Sequence, residues 1–374
     1  MRSARRRIAP DPGPRLLTVP RTQNAGSHRQ TERCFLNTRI SRVGICFLDR
    51  PDARSQVALS QQAEALGYES VWICETRTAR DAISVMGAVA HQTERIKIAA
   101  GVVNTWTRPA SLMALTFATL DELAPSRMLM GLGAYWDPLA WKQGVIRRRP
   151  ITQMREYVEV CRRLLALETV TFEGDLVQVR DLRLELGEGA TAVPRDVPIY
   201  IGATGPQMLA LSGEIADGVL LNGFTSLAYQ AQAFDRIAEG AARARKSLDD
   251  LDLPQVIVVS ADDRHPERAL EIALRMTTMY LGQQPHIARA SGVSQDLLDE
   301  VSQEMGGWPP RDGGIEAAMP LVPVEVVSSL CVWGDLTTCR EGLAAYATRP
   351  NVYPVPLPVT ENYAEMIKAF APDA

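Results

Sequence analysis

Histidine is scarce in this chain: four residues in 374, His28, His91, His265 and His286, all far apart. With so few imidazoles and no paired spacing, neither a zinc site nor a histidine-centred triad is expected, and no metal is assigned. The six cysteines (Cys34, Cys46, Cys74, Cys161, Cys331, Cys339) contain no CxxC pair. Cys46, Cys74 and Cys331 sit in apolar strand-like runs, where buried free thiols are the ordinary state in a reducing compartment, so a cytoplasmic location is expected. No apolar run approaches the ~20 residues that span a bilayer, which argues against a membrane partner. Excess positive charge is missing too. The formal net charge is −4, and no global basic field recommends nucleic acid.

What is present is a rhythm. Residues 1–40 begin MRSARRRIAP and continue in Pro, Gly, Ser, Thr, Gln and Asn. No apolar segment follows the arginines, so this is not a secretory signal; it reads as a disordered leader ahead of a domain over 41–374. From there, short continuous apolar runs alternate with amphipathic helices. Strands are predicted at Arg42–Leu48, Ser70–Cys74, Ile96–Val103, Arg127–Leu132, Val197–Ile201, Gly218–Leu221, Gln255–Ser260 and Val352–Leu357. Between them lie helices at Arg54–Leu66 (ending at Gly67), Asp81–Gln92 (capped by Asp81), Ser111–Leu123 (capped by Ser111), Thr152–Leu167, Gln207–Ile215 and Ala228–Ser247. Leu336–Ala347 and Glu361–Phe370 complete the set. Continuous apolarity marks strands buried on both faces, hence a parallel sheet. Eight βα units favour a closed (β/α)8 TIM barrel over an open doubly wound sheet. Thr169–Leu186 alternates about Glu173-Gly174-Asp175 and reads as a peripheral hairpin. The rhythm breaks over 262–333, taken as a helical insertion over the barrel mouth after strand seven. Pro354 and Pro356 sit awkwardly in the eighth strand.

One stretch carries chemistry on its own terms. Val197–Asn222 reads VPIYIGATGPQMLALSGEIADGVLLN, a strand, glycine turn, helix and strand. Gly202-Ala203-Thr204-Gly205 precedes a helix opened by Pro206, and such a turn lets backbone N–H groups approach an anion at a helix N-terminus. The phosphate of a cofactor is the expected occupant. The turn is not the dinucleotide fingerprint, since there is no GxGxxG.

Together with this turn, GYESVWICE (67–75), IKIAAGVVNTWTRPASLMALTFATLDELAPSRMLMGLGA (96–134) and PITQMREYVEVCRRLL (150–165) resemble the luciferase-like monooxygenase superfamily. The nearest likeness is its coenzyme F420-dependent branch, typified by methylenetetrahydromethanopterin reductase. The resemblance covers roughly 42–370 and is poorest over 262–330. It implies a luciferase-like TIM barrel that binds F420, or FMN in sister branches, at the C-terminal strand ends, and a homodimer formed through helices two and three. It also implies a non-prolyl cis peptide at Gly101-Val102, in a bulge that presses on the cofactor ring.

The site residues follow from both readings. Gly202, Ala203, Thr204 and Gly205 would bind phosphate. Gly131 and Gly133, with Ala134, end strand four, where glycine either admits a planar ring or packs tightly at the rim. Asn104 and Thr107 can hydrogen-bond a ring edge or ribityl hydroxyls. Trp106, Tyr135 and Trp136 lie on loops at the same mouth and are read, with Arg108, as substrate or cofactor wall. Trp72 is read as core, and Arg147-Arg148-Arg149 as a solvated run. Glu75 and Thr76 are the catalytic candidates, for proton transfer, although Glu75 could instead pair with Arg77 or Arg108. Relatives often carry His after the acid, where this chain has Thr76-Arg77, and reductase relatives an acid where it has Cys46. The expected function is hydride transfer between F420 and a small organic substrate, reducing C=N, C=C or C=O. The alternatives are an FMN-dependent monooxygenase and a non-catalytic ligand-binding barrel.

Overall fold

A computed structural model describes residues 39–75, 78–186 and 193–373; Thr76, Arg77, Cys34 and nearly all of the expected leader lie outside them. The strands are β1 (Gly44–Phe47), β2 (Ser70–Ile73), β3 (Lys97–Ala100), β4 (Val103–Asn104), β5 (Met128–Gly133), β6 (Val170–Glu173), β7 (Gln178–Leu182), β8 (Ile199–Ala203), β9 (Gly218–Leu221), β10 (Leu253–Ala261), β11 (Val332–Gly334) and β12 (Val352–Pro358). The helices are α1 (Ala53–Ala65), α2 (Ala82–Gln92), α3 (Ala110–Leu123), α4 (Asp137–Lys142), α5 (Pro150–Leu165), α6 (Pro206–Ile215), α7 (Leu227–Arg243), α8 (Pro266–Gln283), α9 (Pro285–Ala290), α10 (Gln295–Met305), α11 (Gly314–Ala318), α12 (Val324–Leu330), α13 (Leu336–Ala344) and α14 (Tyr363–Ala369). Parallel strands run in the order β1-β2-β3-β5-β8-β9-β10, with β12 on the other edge of β10. These eight are the eight strands expected, and the architecture is a (β/α)8 TIM barrel. The hairpin β6–β7 stands apart and is antiparallel.

Alternation along each strand explains why both faces are apolar. Ile45, Val71, Ile98, Met130, Ile201 and Val219 point outward and pack under the helices. Their neighbours Cys46, Trp72, Ala99, Leu129, Tyr200 and Leu220 point into the barrel. The interior is graded in size. Toward the N-terminal ends, Trp72, Tyr200 and Tyr353 fill it; a Cβ on Gly218 would lie 2.2 Å from the Tyr200 ring and one on Gly44 2.7 Å from Ser70 Oγ. Their polar tips are satisfied: Trp72 Nε1 donates to Ser70 Oγ (2.9 Å) and Tyr200 OH to Asp252 (2.9 Å). Toward the C-terminal ends the inward residues are small, and the core gives way to a cavity.

The prolines of β12 fit because of the ladder's direction. Val359 N–H donates to Val259 O, so residues 353, 355 and 357 also face β10, and Pro354, Pro356 and Pro358 turn their missing N–H toward β1. Accordingly β12 lies beside β1 without forming a ladder with it.

Several local expectations change. Helix α3 begins one residue early, at Ala110 after Pro109, and Ser111 makes no side-chain cap. Asp81 does cap α2, accepting from Ser84 N–H (2.7 Å). The domain begins no later than Ile40, which is buried and donates its N–H to Asp373 (2.7 Å). Within the helical insertion, Pro266–Met305 forms three helices, with the second opening at Pro285. Strand β11, on the C-terminal half of β10, and helix α4 have no counterpart in the sequence reading.

At the closed end, Arg42 ties three strand starts together. Its guanidinium donates to both Glu69 oxygens (2.7 and 2.8 Å) and to Asp252 (2.8 Å), and it covers the Tyr353 ring at 4.3 Å. Burial alone would raise the Glu69 carboxyl, but Arg42 and Lys97 outweigh it and hold it below the ordinary range. A depressed carboxylate contributes stability that is present above its unfolded pKa, about 4.3, and lost as pH falls below it. Arg42→Met should therefore cost about 1–3 kcal/mol at pH 7 in urea unfolding. The gap from wild type should narrow at pH 3; a gap independent of pH would contradict this account.

Candidate active site

The C-terminal ends of the barrel strands surround a cavity of about 760 Å³. Its floor is formed by Cys46, Cys74, Gly101, Val102, Gly133 and Gly202. The Gly101–Val102 peptide is cis, as the resemblance implies. Val102 is the wedge of this floor. A Cβ on Gly133 would lie 2.5 Å from Val102 Cγ2, and one on Gly202 2.9 Å from Val102 Cγ1; one on Gly131 would strike Ala100 O at 1.8 Å. Gly133 and Gly202 border the cavity, but their lack of a side chain makes room for the bulge after β3. Of the two readings of the β5 glycines, tight packing is the one the geometry gives.

Gly205 differs, since a Cβ there would meet nothing within 4 Å. It precedes Pro206, the first residue of α6, and no side chain caps that N-terminus. Residues from Gly202 to Met208 line the cavity. The first-turn amides of Gln207 and Met208 have no partner within the helix, so this corner favours an anion. Arg147 enters from another wall. Its Nε donates to Ala134 O (2.7 Å) and its NH1 to both Asp137 oxygens (2.8 Å each). Arg147 is thus half-buried beside the cavity, while Arg149 pairs with Asp175 at the surface.

The remaining candidates divide. Glu75, Ala134, Tyr135 and Trp136 line the cavity, whereas Asn104, Trp106, Thr107 and Arg108 do not. Asn104 Oδ1 accepts from Trp106 and Thr107 N–H (2.9 Å each), and its Nδ2 donates to Thr107 Oγ1 (2.9 Å). It is the anchor of an Asx-type turn, and its Nδ2 also reaches Glu75 Oε2 at 3.5 Å. Trp106 Nε1 donates to Ala134 O (3.1 Å). Arg108 grips Glu75 (2.9 and 3.1 Å) and reaches Asp81. Burial raises the Asp81 carboxyl, but Ser84 and Arg108 together bring it below its usual value. Asp81, Asn104, Thr107 and Arg108 border a smaller pocket of about 460 Å³ that shares Glu75 and Tyr135 with the cavity. Tyr135 holds a left-handed backbone (φ 66°), uncommon for a bulky residue.

Other wall residues were not among the candidates singled out from the sequence, and all but Asn222 lie outside the quoted stretches. Asn222 Nδ2 donates to Tyr280 OH (2.8 Å), and the Tyr280 ring stacks on Phe224 at 4.3 Å. Burial keeps the Tyr280 phenol protonated. Gln283 and His286, from α8 and α9, complete that wall; burial and the neighbouring Arg289 hold the His286 imidazole below its usual range. A larger groove of about 1310 Å³ lies next door across Leu48, Met279 and Leu357. Arg50, Asp262, Arg268 and Glu361 give it mixed charge, and it has neither the glycine turn nor the strand-end floor.

The luciferase-like monooxygenase family matches residues 19–350. The chain belongs to this family. A 5,10-methylenetetrahydromethanopterin reductase of Methanolobus tindarius is 32% identical over 219 residues, 59% of this chain and 65% of that one, so the match spans a little under two thirds of that relative. An F420-dependent glucose-6-phosphate dehydrogenase of Beutenbergia cavernae is 30% identical over 264 residues, 66% of this chain and 76% of its own. Among solved structures, the coenzyme F420-dependent tetrahydromethanopterin reductase from Methanopyrus kandleri superposes with a TM-score of 0.72. That likeness is at 25% identity and covers 89% of this chain and 97% of that one.

In this luciferase-like barrel the wedge can be tested without any ligand. Gly133→Ala should destabilise by about 1–3 kcal/mol through overpacking. Val102→Ala added to it should recover most of the loss, and Gly205→Ala should stay within about 0.5 kcal/mol of wild type. Chemical unfolding of wild type, the single variants Gly133→Ala, Val102→Ala and Gly205→Ala, and the double variant decides; an additive Gly133/Val102 pair would contradict the wedge.

Proposed function

We propose that this protein is an oxidoreductase that transfers a hydride between the deazaflavin coenzyme F420 and a small organic substrate, acting on a C=N, C=C or C=O bond. One observation carries the reading: a single cavity joins an uncapped, glycine-led helix N-terminus to a floor of small and apolar residues at the strand ends. A cofactor with a phosphate tail and a planar ring matches that polarity, and relatives named for F420 dependence share the fold.

The residues present fit the group. Gly202, Ala203, Thr204 and Gly205, with the first amides of α6, would hold its phosphate. Gly101, Val102, Gly133 and Ala134 would hold its ring. When bound, the coenzyme supplies a hydride donor or acceptor. The chain does the rest. Arg108 and Asn104 fix the Glu75 carboxylate at the cavity edge, where it would take up or pass on a proton, with Thr76 beside it in sequence. Tyr135 and Trp136 wall the substrate space, and Trp136 is braced by Trp308 (6.5 Å, edge to face) from the 262–333 excursion. We read that excursion as the insertion over the mouth that selects the substrate, since α8 and α9 contribute to the wall. Asn104, Thr107, Trp106 and Arg108 then act by shaping the β4–α3 loop rather than by touching the ligand.

The protein is further read as a homodimer, on the exposed Leu112, Leu115 and Leu123 of α3. The five described cysteines are free, which supports a reducing cytoplasm. No helix among the described residues is long and apolar enough to cross a membrane.

Titration of purified protein with F420 should quench the coenzyme's fluorescence with a Kd on the order of micromolar. Tight binding of FMN together with no response to F420 would replace this assignment with a flavin-dependent one.

A further inference from the structure

Among the described cysteines, only Cys46 and Cys74 touch each other. Their sulfurs lie 3.3 Å apart, one on β1 and one just past β2. Both face the barrel interior, and both border the cavity while remaining 1% and 5% exposed. Cys161, Cys331 and Cys339 are also buried, but they contact Ala110 O, Thr277 Oγ1 and Ser260 O instead. The Cys74 thiol donates to Gly101 O at 2.9 Å. With that proton committed, Cys46 is the donor in the contact between the two sulfurs. The chain Cys46–Cys74–Gly101 therefore ends on the carbonyl next to the Val102 wedge.

We propose that Cys46 and Cys74 form an oxidisable dithiol in the cavity floor, converted by a hydroperoxide, hydrogen peroxide being the simplest, to an intramolecular disulfide. Cys74 is the first to react. The contact with Cys74 and burial hold the Cys46 thiol protonated, which makes Cys46 the poorer nucleophile. In the first step Cys74 sulfur attacks a peroxide oxygen; an S–O bond forms, the O–O bond breaks, and one water leaves with the thiol proton. In the second, Cys46 sulfur attacks the sulfenic sulfur; an S–S bond forms, the S–O bond breaks, and a second water carries off the Cys46 proton. Two thiols are oxidised by two electrons and one peroxide is reduced to two waters. The sulfurs have to close from 3.3 Å to about 2.0 Å; because Cys46 lies opposite Trp72 and Cys74 two residues further along, closure moves the backbone past β2 as well as the two side chains. The disulfide leaves Gly101 O without its donor, and Gly101 and Val102 are floor residues. Oxidation should therefore weaken whatever binds on that floor. That consequence, unlike the disulfide itself, rests on the F420 reading.

The test uses the full chain without added cofactor. It is exposed to hydrogen peroxide, its remaining thiols are blocked under denaturing conditions, and unreduced peptides are mapped by mass spectrometry. The expected result is a Cys46–Cys74 cross-link, 2 Da lighter than the reduced pair by the loss of two hydrogens and reversed by dithiothreitol. Cys46→Ser should instead trap Cys74 as sulfenic or sulfinic acid. In a parallel titration, F420 affinity should fall about tenfold on oxidation and return on reduction. Absence of the cross-link in wild type, with Cys74 intact or over-oxidised, overturns the proposal; a cross-linked protein that binds F420 as tightly as the reduced one overturns its consequence for the floor. A reversible cross-link in a protein that never binds F420 supports the dithiol and contradicts the coenzyme assignment, so the two failures are distinguishable.

Discussion

The isopropyl group of Val102 occupies the space that side chains at Gly133 and Gly202 would need, and the shape of the cavity depends on that contact. Barrel interiors are close-packed, so a void at one end requires that the residues pointing there be small or displaced. Here the gradation is explicit. Trp72, Tyr200 and Tyr353 fill the closed end, and Gly44 and Gly218 yield to their bulk. At the open end Cys46, Cys74, Gly133 and Gly202 leave room, and the bulge after β3 pushes one apolar side chain across them. The floor is thus set by the backbone path of a single segment, with glycines on two neighbouring strands adapted to it.

Above this floor the cavity is polarised. One corner offers unpartnered amides at the start of α6, where the helix dipole favours negative charge. The opposite rim carries Glu75, whose carboxylate is held by Arg108, which Asp81 holds in turn. Asn104 and Thr107 brace the same loop from beneath. A ligand with an anionic tail and a flat apolar body therefore has one favourable orientation, with its body brought to the side of Glu75. Phe224, Tyr280 and Asn222 close the third side through contacts between β9 and α8.

Much of this was legible from local pattern. Strand positions followed from continuous apolar runs, because both faces of each strand are buried, and Gly205 and Pro206 marked the start of α6, which no side chain caps. The Pro354–Pro356 difficulty dissolves once the direction of pairing is known, but direction is a tertiary fact. The roles of Asn104 and Arg147 were harder. Asn104 bonds its own loop two and three residues on, a local Asx signal that motif matching passed over. Arg147 is distinguished from Arg148 and Arg149 only by Asp137 and Ala134 O, which the turn after β5 brings to it. Tyr280, Gln283 and His286 come from a segment without barrel rhythm, so nothing in sequence aimed them at the strand ends. The residues at 76 and 77, where the chain departs from its relatives, lie outside the described structure.

The account stands on the claim that the glycine-led start of α6 is the phosphate end of a cofactor site whose other end is the Val102 floor. A crystal structure of the protein with F420 bound tests this directly. The account places phosphate oxygens within hydrogen-bond distance, about 3 Å, of the Gln207 or Met208 N–H, with the deazaflavin ring against Val102. Phosphate seated instead in the neighbouring groove, beside Arg264 and Arg268, would contradict it.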